Sequence, residues 1–176
     1  LSRVPLPRWT SMYSQLISSI NDLISNHNGV VILPFAEEHF GQIQISQSEI
    51  ISASAYIDTK AMVLKQDAIG ISFTAFMYGN PVAIFGCVPI WHGVGEMWSI
   101  LDNRSKKNAI SLTKIAFKVL YVIEQYLMLH RSQITVKSAD KKAVRWAMSL
   151  GFKNEGTMKS YGPDGSDFYI MARTAK

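Results

Sequence analysis

The chain has 176 residues, 48% hydrophobic and 11% aromatic, which is ample for one packed domain and argues against disorder. A single cysteine, Cys87, excludes an internal disulfide scaffold, and no apolar run approaches the roughly 18 residues of a membrane-spanning helix. The formal charge of +5 is uneven: from Asp102 onward 14 bases face 6 acids, a balance of +8, while the first 101 residues hold 4 bases and 7 acids, a balance of −3.

The chain opens at Leu1 rather than Met, as a processed or trimmed start would, and carries no charged-then-apolar leader. Leu1 to Arg8, with Pro5 and Pro7, reads as an extended lead-in. From Trp9 to about His27, residues Trp9, Met12, Tyr13, Leu16, Ile17, Ile20, Leu23 and Ile24 share one helical face. That stripe is expected to dock on the domain, or else to offer a dimer or partner surface. Asn28-Gly29 is a stop, Val30 to Leu33 a short buried strand ended by Pro34, and two helical pieces follow over Ala36–Ile45 and Gln47–Gln66.

Ile71 to Tyr78 and Val82 to Val88 flank Gly79-Asn80-Pro81 as a hairpin, and Gly93-Val94-Gly95 leads into a strand from Glu96 to Leu101. The strongest helix runs from Asn108 to His130, with Leu112, Ile115, Ala116, Val119, Ile123 and Leu127 at three- and four-residue spacing and a basic end at His130-Arg131. Ile134 to Lys137 is a strand, Asp140 caps a helix to Leu150 with Gly151 as its stop, and Phe152–Lys159 and Asp167–Met171 are the last strands. The expected fold class is α/β (α+β): a mixed, mostly antiparallel sheet flanked by helices, with residues 1–29 as an N-terminal helical extension and 30–176 as the domain.

This order and two local stretches resemble the GCN5-related N-acetyltransferase superfamily. The first is Asp140-Lys-Lys-Ala143-Val-Arg-Trp-Ala-Met-Ser-Leu150-Gly151-Phe152, which is similar to the family's Asn, then Ala three residues on, then a helix ending in Leu-Gly-Phe. The second is the strand–loop–helix from Glu96 to Leu112, where Arg104-Ser-Lys-Lys107-Asn-Ala109 keeps the Arg and Ala of the family's pyrophosphate loop but places Lys107 at its usual Gly. The family's Tyr seven residues after the Asn, which protonates the departing thiolate, falls on Ala147. The eroded loop, with Val82–Gly86 ahead of a strand bearing Trp98, also resembles degenerate acetyltransferase-like proteins of tailed bacteriophages.

The resemblance implies a cytoplasmic acetyl-coenzyme-A-dependent N-acetyltransferase, in the host cytoplasm if phage-encoded, acting on a primary amine of a small molecule or protein. The backbone near Ser99, Ile100 and Leu101 would pair with pantetheine. Arg104, Ser105, Lys106, Lys107, Asn108 and Ala109 would face the pyrophosphate, with the helix start as an anion site. Glu96 would accept the amine proton, directly or through water, and Asp140 would orient a water or the pantetheine arm. Each has a plainer reading: a strand or turn carboxylate for Glu96, a helix cap for Asp140, a turn for His92, a buried structural thiol for Cys87.

No metal is expected, because Glu37-Glu38-His39 is too tightly spaced to converge on one ion and no His-Glu-x-x-His stretch exists. The chief alternative is a non-catalytic phage protein of the same fold that binds a host protein or serves structurally, using its N-terminal helix. Nucleic-acid binding rests on the +8 half alone, and no membrane partner is indicated.

Overall fold

The computed structural model describes residues 9–26, 29–45 and 59–174. The lead-in over Leu1–Arg8, the expected stop at Asn28 and most of the expected helix Gln47–Gln66 lie outside the described residues. In chain order the elements are helix α1 (Trp9–Ile24), β1 (Val30–Pro34), α2 (Glu37–Phe40), α3 (Thr59–Ile69), β2 (Ile71–Met77), β3 (Asn80–Trp91), β4 (Val94–Leu101), a 3₁₀ helix (Asn103–Asn108), α4 (Ala109–Tyr126), β5 (Arg131–Lys137), α5 (Lys141–Ser149), β6 (Lys153–Met158) and β7 (Phe168–Thr174).

The seven strands form one mixed sheet in the order β1-β2-β3-β4-β5-β7-β6. Only β4 and β5 pair in parallel; every other neighbour is antiparallel. The chain therefore needs a crossover from β4 to β5, which α4 supplies, and α5 supplies a second, from β5 to β6 past β7.

Alternation along each strand sorts side chains to two faces. One face carries Phe73, Cys87 and Met97 and is covered by α1 (Leu16, Ile20, Ile24) and α4 (Ile115, Val119, Ile123). On the same side, α5 packs Ala147 and Leu150 with Phe152 and Met171, against Ala116 and Leu120 of α4. The other face carries Ile84 and Ile100 under Val63 of α3 and Ile43. Full burial of each of the three α1 residues stabilises the docked helix by about 1.5–3 kcal/mol. Among the described side chains of the α1 stripe, Leu16, Ile20 and Ile24 are built into the core, Tyr13 and Ile17 are half-buried against it, and Met12 and Leu23 are exposed.

Several boundaries differ from the sequence reading, β4 starting at Val94 rather than Glu96, β5 at Arg131 rather than Ile134 and β7 running to Thr174 rather than Met171 among them. The helix expected to reach His130 stops at Tyr126: Leu127 caps it and Met128 turns the chain with φ 51, so His130 leads into β5 and Arg131 starts it, both amides donating to the Gly93 carbonyl. The helix over Ala36–Ile45 is a single turn, Glu37–Phe40, beyond which Ile43 drops into the core. β3 is longer than Val82–Val88 at both ends, starting at Asn80 and running through a bulge at Pro89–Trp91. Among the described residues no helix is long and apolar enough to cross a membrane.

Candidate functional site

The parallel pairing of β4 and β5 is short. Val94 pairs with Arg131, Gly95 with Ser132 and Glu96 with Gln133, and there it ends. Beyond that point β4 stays on β3 as far as Leu101, and β5 stays on β7 as far as Lys137. The two halves of the sheet part like a wedge, and among the described residues no strand pairs across the gap between 97–101 and 134–137. Buried backbone donors and acceptors need partners, and an extended ligand can add there as a strand would. Above the wedge, Trp146 Nε1 of α5 donates to Thr113 Oγ1 of α4 at 3.0 Å, tying the two helices together.

Glu96 stands at the apex of the wedge. It shares a face with Trp98 and Ile100, opposite the α1–α4–α5 layer. Its side chain is half-buried, and burial pushes its carboxyl above the ordinary range while the Gln133 amide across the strand pulls the other way. Two residues on, Trp98 keeps a buried Nε1 with no hydrogen-bond partner, a donor left over on the Glu96 side of the sheet. On the opposite face Cys87 is fully buried, and burial, then the carboxylates Glu124 and Glu96, push its thiol up to about 12. That thiol is inert near neutral pH.

The turn from β4 into α4 has a different character from the phosphate loop expected there. Asp102 is 2% exposed and gathers the local donors. It accepts from Arg104 N at 2.7 Å, Arg104 Nε at 2.9 Å, Arg104 Nη2 at 2.7 Å and Gln44 N at 2.8 Å. Burial works to raise its carboxyl, but the Arg104 side-chain bonds, the two backbone amides and the Arg104 charge together hold it below the ordinary range. Arg104 also donates to the Gln42 carbonyl at 3.0 Å, and Ser105 Oγ to the Asp102 carbonyl at 2.6 Å. The amides of Asn103 and Ser105 bond to the carbonyls of Gln44 and Asp102.

The sequence-derived positions therefore separate into groups. Arg104 and Ser105 both bond within the turn, the half-exposed guanidinium to the Asp102 carboxylate and the Ser105 hydroxyl to the Asp102 carbonyl. Lys107, Asn108 and Ala109 are exposed at the start of α4, and the Lys106 side chain lies outside what the structure describes. Ser99 is exposed, Leu101 half-buried, and the Ile100 side chain is buried under α3, all three with backbone along the wedge. Asp140 caps α5, its Oδ1 accepting from Lys142 N at 3.1 Å and Ala143 N at 2.9 Å. His92 is exposed in the β3–β4 turn.

Asp102, Gln133 and the Trp146–Thr113 tie are absent from the sequence reading. Asp102 ahead of a helix start was readable as a cap; its grip on Gln44, 58 residues away, was not. Gln133 carries no local signal at all. An open groove of about 470 Å³ on the outer side of α4 is lined by Thr113, Lys114, Phe117, Lys118 and Ser149, so it includes neither Glu96 nor the strands of the wedge. His39 bonds Ala36 N and Thr74 Oγ1 beside α2, and among the described residues no group of three or more His, Cys, Asp or Glu is placed to hold a metal.

No family model and no curated protein matches the chain. Solved structures do match. Ard1 from Thermoplasma volcanium superposes with a TM-score of 0.67 at 16% identity, over 84% of this chain and 99% of that one. A GNAT-family acetyltransferase from Bacillus anthracis gives 0.67 at 18% identity, over 84% and 95%. yncA from Salmonella typhimurium, solved with its cofactor acetyl-CoA, gives 0.64 at 12% identity, over 85% and 95%. At such identities the likeness establishes the fold, that of the GCN5-related N-acetyltransferases, and leaves activity to the site. Nothing in these matches supports the narrower likeness to phage proteins.

Proposed function

We propose that the chain is an acetyl-CoA-dependent N-acetyltransferase whose donor lies in the wedge between β4 and β5. The observation that carries this reading is the parting of the two strands with a half-buried carboxylate, Glu96, at its apex. The free backbone of 97–101, including Ser99, Ile100 and Leu101, is suited to the amide groups of a pantetheine arm. A neutral amine attacks the thioester carbonyl, the C–N bond forms, the C–S bond breaks, and the amine proton passes to Glu96 or to a water held by it. A carboxyl raised toward neutrality is better matched to that step than an ordinary one. Ala147 offers no acid to the leaving thiolate, which departs unprotonated; with a thiol pKa near ~8.5 that is tolerable.

The fit to the donor is uneven. The wedge offers what an extended thioester arm needs, whereas the β4–α4 turn already holds a carboxylate where a diphosphate would be expected. The lysines at 106 and 107 then carry the phosphate contacts, as point charges rather than as a backbone cradle. Residues 1–29 are an extension to a domain that comprises 30–176.

The occupied turn also favours a second reading, a non-catalytic binding or structural protein of the same fold. Thermal unfolding separates the two. Acetyl-CoA at a hundredfold over Kd adds about 2.7 kcal/mol of stability, a Tm rise of about 5–10 °C for a domain of this size. Such a rise surviving moderate salt, with thiol release on an amine panel that drops at least 10²-fold in Glu96→Gln, supports the enzyme. No rise at millimolar acetyl-CoA leaves the binding protein.

A further inference from the structure

Glu96 and Gln133 are the last residues paired across β4 and β5, so their side chains lie on the same face where the sheet parts. Opposite the carboxylate the structure thus puts an amide, not a cation. An amide has a donor end and an acceptor end, and only the donor end serves a carboxylate. Which end faces Glu96 is settled by Arg131. Its Nε donates to Gln133 Oε1 at 3.1 Å, and since a guanidinium only donates, the oxygen is fixed on that side and the NH₂ is left for Glu96.

Arg131 is in turn held by a residue two strands away. Its Nη1 and Nη2 make a two-pronged contact with Glu155 Oε1 at 3.1 Å and Oε2 at 2.6 Å. Between them runs β7, and at this level it carries Ala172, which pairs with both Gln133 and Lys153. A methyl group leaves room for the guanidinium to cross above the strand. On β6 the ladder slips between Asn154 and Gly156, and Asn154 Oδ1 accepts from Gly156 N at 3.0 Å, so Glu155 is the extra residue of a bulge. Bulges re-aim side chains, here toward Arg131.

Stability does not account for this arrangement. The Arg131 and Glu155 side chains are 25% and 43% exposed, and a pair so open contributes about 0–1 kcal/mol. We infer that Gln133 is a positioning residue for Glu96, oriented through Arg131 by Glu155 on the far edge strand. Glu155–Arg131–Gln133 is then a relay along one face of the sheet that fixes which protonation state and which rotamer Glu96 presents at the wedge. The inference rests on reading Glu96 as the proton acceptor. Among the described residues, the ionisable groups that the structure links to Glu96 are Arg131 and Glu155 along the relay and the Cys87 thiol on the other face.

The test is a ¹³C NMR titration of the labelled Glu96 carboxyl in the full chain with no substrate present, so that it reads the relay whether or not acetyl transfer occurs. Gln133→Leu moves the Glu96 midpoint up, because the amide that favours the charged form is gone. Glu155→Gln moves it in the same direction by less, and Gln133→Asn, one methylene short, behaves like the leucine variant if that one fails to fold. In a transfer assay the same variants lower kcat about tenfold with KM unchanged, part of the 10²–10⁴ a positioned base contributes. A Glu96 midpoint identical in wild type, Gln133→Asn and folded Glu155→Gln overturns the relay. Absence of transfer in the wild type, with the midpoint still moving, overturns only the enzyme reading.

Discussion

The two corners where the chain leaves the wedge for a helix begin alike and end differently. After β5, Asp140 accepts from Lys142 N and Ala143 N, and α5 follows as a regular helix closed by Gly151 at φ 89, with Leu150 and Phe152 in the core. After β4, Asp102 also accepts from the amide two residues on, but it is buried, clasped by Arg104 and tied to Gln44, and six residues of 3₁₀ helix precede α4. The first corner is the one that keeps the spacing of the acetyltransferase pattern without a gap, although Asp140 stands at its Asn and Ala147 at its Tyr. Its matching residues turn out to cap, stop and fill. The second departs from the pattern at Lys107, and there a protein carboxylate meets donors that the pattern reserves for phosphate. Preserved spacing here reports folding, and the departure falls where a ligand would bind.

Breaking the first corner should cost most. Phe152→Ala removes a core aromatic that is 3% exposed and should lower stability by about 3–5 kcal/mol, a Tm fall on the order of 10 °C. At the second corner Asp102→Ala leaves the Gln44 amide and the Arg104 fork without their acceptor, for about 2 kcal/mol by urea unfolding at pH 7. The asymmetry sharpens with pH. The folded pKa of Asp102 lies below its ordinary unfolded value near ~3.9, so its contribution is complete above that value and is lost as pH falls through the folded pKa. The gap in urea midpoint between wild type and Asp102→Asn therefore stays constant from pH 7 to 5 and narrows below pH ~4; a constant gap down to the lowest pH would mean the clasp is not electrostatic.

Smaller effects follow at the matched corner. Gly151→Ala forces a β-carbon into a left-handed conformation and should cost about 1–2 kcal/mol. Asp140→Ala should cost about 1 kcal/mol, the ordinary worth of a cap, and leave the pH dependence of transfer unchanged. A shift in that pH profile would give Asp140 a part in the chemistry besides its cap.

How much of this was legible in the sequence follows from the range of each interaction. Helix α5, with its cap and stop, is built from signals within a dozen residues, and the reading from Asp140 to Leu150 holds to within one residue. The end of α4 was misread because Leu127 and Leu129 continue the apolar pattern; what stops the helix is the turn at Met128 and the pairing of the His130 and Arg131 amides with the Gly93 carbonyl. Glu96 was singled out by the family resemblance, at the start of a strand, and not by a local signal. Gln133 could not be, because its role depends on a register that joins residues 37 apart in sequence on strands of the same direction. Arg104 was read as a phosphate ligand from its pattern position, and its pairing with Asp102, two residues earlier, had no place in that reading.

The most direct test of the account is a backbone amide NMR titration with acetyl-CoA. It predicts that resonances of 97–101 and 134–137, the two walls of the wedge, move in slow or intermediate exchange and saturate, with smaller changes at 106–109. Perturbations confined to Lys114, Phe117 and Lys118 on the outer groove, or none at millimolar ligand, would contradict it and leave the wedge without a donor.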